Sequence, residues 1–455
     1  MTDLARRVED LLPTVLADLT RLVAIESVSA DPDAASRVLA SAETVKDLLT
    51  EIGCPEVEIV SAGGQPAVIA HFPAPEGKPT VCLYAHHDVQ PTGDVGAWSS
   101  PPFEATQRGD RLFGRGTADD KGGLAVHLAA LRAFDGRPPV GVKLFIEGEE
   151  EIGSPTMINT LDAYGERLAA DVFVVTDSTN WEVGTPSFTT SLRGLADCVV
   201  ELATVDHALH SGSFGGVVPD ALTSLCRLIA TLHDEAGNVV VDGLATSAAS
   251  PLDYPEQRLR DETGLLDGVS WIGDGPAADR LWAKPAISVI ALDATSVEKA
   301  SNTLAATARA KISLRVAPGQ SGADALEKLI KHLESKAPWG ARVTVTPGDS
   351  GDPSTLELSG PYADAATAAF TEAFGTAPVH LGQGGSIPMV AELARRFPDA
   401  TMLVTAVGDP DTRAHGIDES MHLGDFAKAC LAETLLLERL AAGTGAQQGG
   451  PVADS

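Results

Sequence analysis

The residues with the most chemical potential fall in short stretches: His86, His87 and Asp88 in TVCLYAHHDVQP, Asp119 and Asp120 in GRGTADDKGG, Glu149, Glu150 and Glu151 in EGEEEIGS, Asp177 in VVTDS, and His415 in RAHGIDES. Imidazoles and carboxylates gathered without cysteine are a donor set that suits a pair of divalent ions such as zinc, with manganese or cobalt as alternatives. Singly, each stretch is ordinary. An HxD pair occurs by chance, a run of glutamates is usually a solvated face, and a lone histidine is more often a satisfied core residue than a ligand. Their position sets them apart, because all but GRGTADDKGG, a Gly-rich turn entering a helix, follow an apolar run, and ending a buried run on titratable groups costs desolvation unless partners wait there.

The elements that must position these residues are short apolar runs rich in branched and aromatic side chains: VCLYA (81–85), VKLFI (142–146), VFVVT (172–176) and TMLVT (401–405). Such runs read as central strands, and DKGGLAVHLAALRAF between the first two has the apolar period of a crossover helix. Strands alternating with helices predict an α/β domain, in which functional residues sit beyond the carboxyl ends of the strands. From Ser187 the texture changes to strand, helix, strand, helix, strand, ending in ARVTVTP. A compact α+β unit over 188–350 is thus inserted in a larger domain made of 1–187 and 351–440. Residues 243–283 read as a long surface insertion, and 441–455, without apolar period, as a mobile tail.

With 455 residues, 44% apolar and 21% charged, the chain has globular composition, and its length suggests two or three domains. A formal charge of −30 without a basic stripe argues against nucleic acid and anionic membrane as partners. The five cysteines, widely spaced and free of CxxC, support neither a disulfide framework nor a cysteine zinc site. The N-terminal stretch mixes acids and bases in an amphipathic helical pattern, and no window reaches membrane-spanning length, so a soluble, cytoplasmic protein is expected.

Some roles follow from the residues. Asp88 lies two positions after His86, on the same side of an extended segment, where it could accept the second imidazole N–H. Glu150 is placed to take a proton from a water bridging two ions and return it to a leaving amine. Glu149 and His87 read as solvated neighbours. An arginine inside an apolar strand, Arg315 in ISLRVAP, calls for an anionic partner.

YAHHDVQP, GRGTADDKGG, EGEEEIGS, VVTDS, LHSGSFGG, GGSIP and AHGIDES, in that order, resemble the successive motifs of the M20 family of dinuclear metallopeptidases. DVQP, WSSPPF, HSGSFGG, WAKPAISV and GGSIP resemble its dipeptidase and carnosinase branch. The resemblance implies a mixed-sheet catalytic domain with an inserted lid and dimerisation domain. It implies two divalent ions, zinc first, with Asp119 bridging them and its peptide bond to Asp120 cis. One ion would be held by His86, Asp119 and Asp177, the other by Asp119, Glu151 and His415. It further implies a homodimer in which His210 reaches the partner's site, and substrate contacts from Asn302, Arg315 and the backbone at Gly384 and Gly385. The implied activity is a metal-dependent dipeptidase acting on dipeptides or short peptides with a free C-terminal carboxylate. An N-acyl amino acid deacylase, such as a desuccinylase, would keep the same ligands. The chain departs from that branch in reading Gly382-Gln383 where Arg-Glu is usual, so the charge of the C-terminal substrate pocket does not carry over.

Overall fold

The computed structural model describes residues 3–247, 252–385 and 388–443. The chain forms two compact units, the first from Met1–Thr190, Leu356–Leu381 and Glu392–Ser455, the second from Ser191–Thr355 and Gly382–Ala391. Most of the tail expected to be mobile, from 444 onward, lies outside the described residues.

The sheet of the first unit runs Glu56–Val60, Ala67–Phe72, Gly141–Glu147, Thr80–His86, Val172–Val175, Thr401–Val404, Ser187–Leu192. Its four middle strands are the apolar runs of the sequence, and they are mutually parallel. Antiparallel neighbours flank them, which makes the sheet mixed. The parallel register pairs His86 with Glu147 and Tyr84 with Val175, so these strands end along one edge. Val81, Leu83 and Ala85 have no exposed surface. On the face that carries these three, Asp3–Val23, Ala35–Ile52, Lys121–Ala133, Gly360–Phe374 and Leu423–Gly443 pack their apolar sides into one core.

The crossover helix Lys121–Ala133 begins beside the Asp119–Asp120 turn. A Cβ on its Gly123 would stand 2.1 Å from Asp120 Oδ1 and 2.4 Å from Thr176 Oγ1, so only glycine lets the helix start so close to the strand ends.

The second unit has a four-stranded antiparallel sheet in the order Ala286–Asp293, Thr307–Val316, Gly194–Ala203, Arg342–Gly351. Helices Ala221–Ala230 and Gly322–Ser335 cover one face, burying Cys198, Val200, Ile312, Leu314, Leu225 and Leu329. By alternation the other face carries Arg309, Lys311, Ser313 and Arg315 opposite Glu201, Val199, Asp197 and Leu195. Ala286–Asp293 is a strand that the sequence pattern does not announce: it has a bulge between Val289 and Ala291, and its apolar residues Val289, Ile290 and Leu292 are exposed. The segment 243–283 is more than a surface loop, since it holds helices Glu256–Thr263 and Ala277–Trp282 with Leu259 and Trp282 buried. Gly382–Ala391, grouped by sequence with 351–440, clusters with the second unit, where Arg193 donates to the carbonyl of Gly384. Among the described residues no helix is long and apolar enough to cross a membrane.

Candidate metal centre

His86 closes its strand with a fully buried side chain. Its Nε2 lies 3.2 Å from Asp119 Oδ1, and the other oxygen, Asp119 Oδ2, lies 3.1 Å from His415 Nε2. One carboxylate thus faces two imidazoles, one through each oxygen. His415 Nε2 is also 3.1 Å from Glu151 Oε2, and His86 Nε2 is 4.0 Å from Glu150 Oε2. Donor atoms of His86, Asp119 and Glu151, and likewise of His86, Glu150 and Asp177, lie within 4.8 Å of one another. Residues drawn from three strand ends, the turn before helix Lys121–Ala133 and the His415 loop therefore converge, and the Asp119–Asp120 peptide bond is cis.

The surrounding hydrogen bonds fix this cluster. Asp88, with no exposed surface, accepts the N–H of Glu150 on Oδ1 (3.3 Å) and that of Glu151 on Oδ2 (3.1 Å). His86 Nδ1 lies 3.4 Å from Asp88 Oδ1 and closer, 3.1 Å, to the Asp88 carbonyl. Asp88 therefore orients three neighbours at once, a wider task than fixing one tautomer. Glu151 is held in turn by Gln90, whose N–H and Nε2–H donate to its carboxylate at 3.1 and 2.9 Å.

Electrostatics bear on what the cluster can hold. Burial, and then the charge of Asp177, hold the Glu150 carboxyl well above the usual carboxylate range. Burial, opposed by the charge of His86 and joined by those of Asp119 and Glu151, pushes Asp177 up to about 7. Hydrogen bonds that His415 donates to Asp119 and then to Glu151 raise it to about 10. Burial opposes charge on His86, but the bonds to Asp119 and Asp88 win and hold it well above the imidazole range. Among the described residues no lysine or arginine pairs with Asp119, Glu150, Glu151 or Asp177. A group of carboxylates gathered without a lysine or arginine fits divalent cations, and oxygen with imidazole nitrogen is the donor chemistry such ions take.

The sequence pattern of the peptidase family M20/M25/M40 matches residues 82–439. The chain belongs to this family. Among characterised M20-type relatives, a cysteinylglycine-S-conjugate dipeptidase of Corynebacterium striatum is 34% identical over 430 residues, covering 93% of this chain and 94% of the relative. A Cys-Gly metallodipeptidase of Saccharomyces cerevisiae is 26% identical, covering 94% and 95%. The solved structure of human carnosine dipeptidase 1 superposes with a TM-score of 0.82 at 22% identity, over 96% of this chain and 98% of the other, a likeness of fold.

Several residues of this M20 site differ from their sequence reading. Glu149 is no solvated neighbour: it is 4% exposed and accepts from the N–H of Gln65 (2.9 Å) and of Thr156 (2.8 Å) and from the Thr156 hydroxyl (2.6 Å). His87 is likewise buried, 2.9 Å from the Pro66 carbonyl, and burial lowers it to about 4. Glu419, to which the sequence assigns no role, has no exposed surface and accepts from Arg115 Nη1 (2.6 Å) and from the N–H groups of Gly116, Ala118 and Asp119 (3.1 Å each). It braces the turn that presents Asp119. The available signal was its place at the end of AHGIDES. Glu419→Gln should strand Arg115 without a counter-charge and cost about 3 kcal/mol or more of stability, read by urea unfolding.

The remaining predicted residues lie in the second unit. His210 pairs with Thr303 across two short strands, its Nδ1 accepting the Gly212 N–H at 3.1 Å, and the carbonyl of Asn302 accepts the Ser211 N–H at 2.9 Å, so His210 and Asn302 are brought together. Arg315 lies opposite Leu195 and Ala286. A Cβ on Gly384 would stand 2.8 Å from Arg193 Nη2, whereas one on Gly385 would meet nothing within 4 Å. Ser386 and Ile387 of GGSIP lie outside the described residues.

Proposed function

We propose that this M20 peptidase is a metal-dependent dipeptidase that cleaves dipeptides or short peptides carrying a free C-terminal carboxylate. The observation that carries the reading is Asp119, turned with one oxygen to each of two imidazoles, beside a carboxylate, Glu150, that its neighbours leave free to act. The dipeptidase names of its relatives support the substrate class. In our reading His86, Asp119 and Asp177 hold one divalent ion and Asp119, Glu151 and His415 the other, zinc being the ion that best suits the mixed imidazole and carboxylate set. Divalent ions held there would polarise the amide carbonyl as Lewis acids and lower the pKa of water.

The protein's own groups do the rest. Glu150 would accept the proton of the attacking water and deliver it to the departing amine nitrogen. Asp88 keeps Glu150 and Glu151 in place through their backbone N–H groups. Arg315 receives the substrate carboxylate, and Asn302, Gly384 and Gly385 line its path. His210 steadies charge on the carbonyl oxygen of the partner subunit's substrate in a homodimer formed through the inserted unit. The exposed apolar residues of the edge strand Ala286–Asp293 favour such pairing. The buried free thiols of Cys54, Cys82, Cys198 and Cys430 suit a reducing compartment, and we place the enzyme in the cytoplasm.

The direct test is a panel of dipeptides beside N-acetyl and N-succinyl amino acids, assayed with and without added metal. Metal-dependent cleavage of dipeptides is expected, and cleavage of the acyl amino acids alone would replace the reading with a deacylase. The composite site has its own test. Mixing inactive His210→Ala and inactive Glu150→Gln chains, with subunit exchange shown by copurifying tags, should restore activity. Exchange without restored activity would return His210 to its own chain.

Metal binding should also release protons. A ligand imidazole must be neutral, and His415, raised to about 10, carries a proton throughout the neutral range in the metal-free chain. At pH 7.5 each chain should therefore give up at least one proton on loading, and affinity should rise as pH rises towards 10. Calorimetry in buffers of different ionisation enthalpy reads this directly, and loading without proton release would contradict it.

A further inference from the structure

The face of the second unit's sheet not covered by helices carries a row of cations, and their partners differ. Lys311 pairs with Asp197 at 3.1 Å and Arg309 with Asp293 at 2.6 Å. Arg315 and Arg193 have no carboxylate partner among the described residues. Arg193 stands two positions before Leu195, the residue opposite Arg315, and is only 8% exposed. Burial, and then the charge of Arg315, lower Arg193 to about 10, which places the two guanidinium groups within each other's field.

Arg193 is held rigidly. Its backbone N–H donates to Gln383 O at 3.1 Å, its Nε–H to Gly384 O at 3.2 Å, and its Nη1–H to Lys284 O at 3.3 Å. Nη2 makes no hydrogen bond among the described residues. No acid can enter at position 382, because a Cβ there would stand 2.4 Å from Trp282 Cβ and 2.9 Å from Ser191 Oγ. Gln383, Gly384 and Gly385 bring no charge. Two neighbouring guanidiniums, one almost buried, without a protein anion are costly unless a ligand supplies the negative charge.

We propose that Arg193 joins Arg315 in a subsite of two positive charges, so that the enzyme prefers substrates whose C-terminal residue carries a second carboxylate, such as dipeptides ending in aspartate or glutamate. This rests on the reading of the chain as a dipeptidase that takes the substrate C-terminus at Arg315. One carboxylate neutralises one guanidinium, and a side-chain carboxylate neutralises the other.

The test compares kcat/KM for a dipeptide ending in aspartate with that for its neutral isostere ending in asparagine, using the metal-loaded protein. A preference of about tenfold or more for aspartate is expected from one added charge pair in a partly buried site. Arg193→Gln should bring that ratio close to one whatever it does to the absolute rates, while Arg193→Lys, which keeps the charge, should retain most of it. Equal cleavage of both peptides by the natural protein, or an unchanged ratio in Arg193→Gln, overturns the proposal. Calorimetry of free aspartate against free asparagine on the unaltered chain gives a second readout that needs neither turnover nor a folded variant. Tighter binding of aspartate supports the subsite even if no dipeptide is cleaved, an outcome that would sink the dipeptidase reading alone, and equal binding of the two overturns the subsite.

Discussion

Replacing Glu150 by glutamine should lower kcat by about two to four orders of magnitude, the range typical of losing a general acid-base group. Metal content and KM should change little. Glutamine fills the same space and keeps the backbone N–H that Asp88 accepts, so the change removes proton transfer and little else. The size of the effect follows from the surroundings: Glu150 Oε2 stands 4.0 Å from His86 Nε2, at the edge of the cluster. Its neighbour Glu149 cannot take over, because both of its oxygens are already bound by Gln65 and Thr156. Near-normal turnover in Glu150→Gln, with metal content intact, would therefore move the base to a residue other than Glu149 or Glu150.

Replacing Asp119 by alanine should remove both ions and abolish hydrolysis, whereas His86→Ala and His415→Ala should each weaken a different site. The asymmetry follows from the geometry. Asp119 Oδ1 faces His86 and Oδ2 faces His415, so its loss opens both halves, while each imidazole serves one. Elemental analysis of the purified variants reads the result as ions per chain. If Asp119→Ala keeps one tightly held ion, the carboxylate does not bridge, and if His86→Ala and His415→Ala empty the same site, the division of ligands is wrong.

The central strands were legible because a strand buried on both faces must be apolar throughout, and VCLYA, VKLFI, VFVVT and TMLVT satisfy that locally. The convergence of His86, Glu150, Glu151 and Asp177 followed, since parallel strands deliver their ends to one edge. What stayed hidden was the burial of polar groups. Glu149 and His87 look solvated in sequence and Glu419 carries no role there, and partners that bury them, Gln65, Pro66 and Arg115, are remote in the chain. Nor does local pattern reveal Ala286–Asp293, a strand whose bulge breaks its alternation and which leaves Val289, Ile290 and Leu292 exposed. The departure at Gly382 likewise has its reason in Trp282, a hundred positions earlier, which fills the space a side chain would need.

The central claim, that Asp119 joins two ions into one hydrolytic centre, is met most directly by titrating chelator-stripped protein with zinc or manganese while following dipeptide hydrolysis. Activity should be absent at the start and reach its plateau at two equivalents of metal per chain. A plateau at one equivalent, or hydrolysis that survives complete removal of metal, would contradict it.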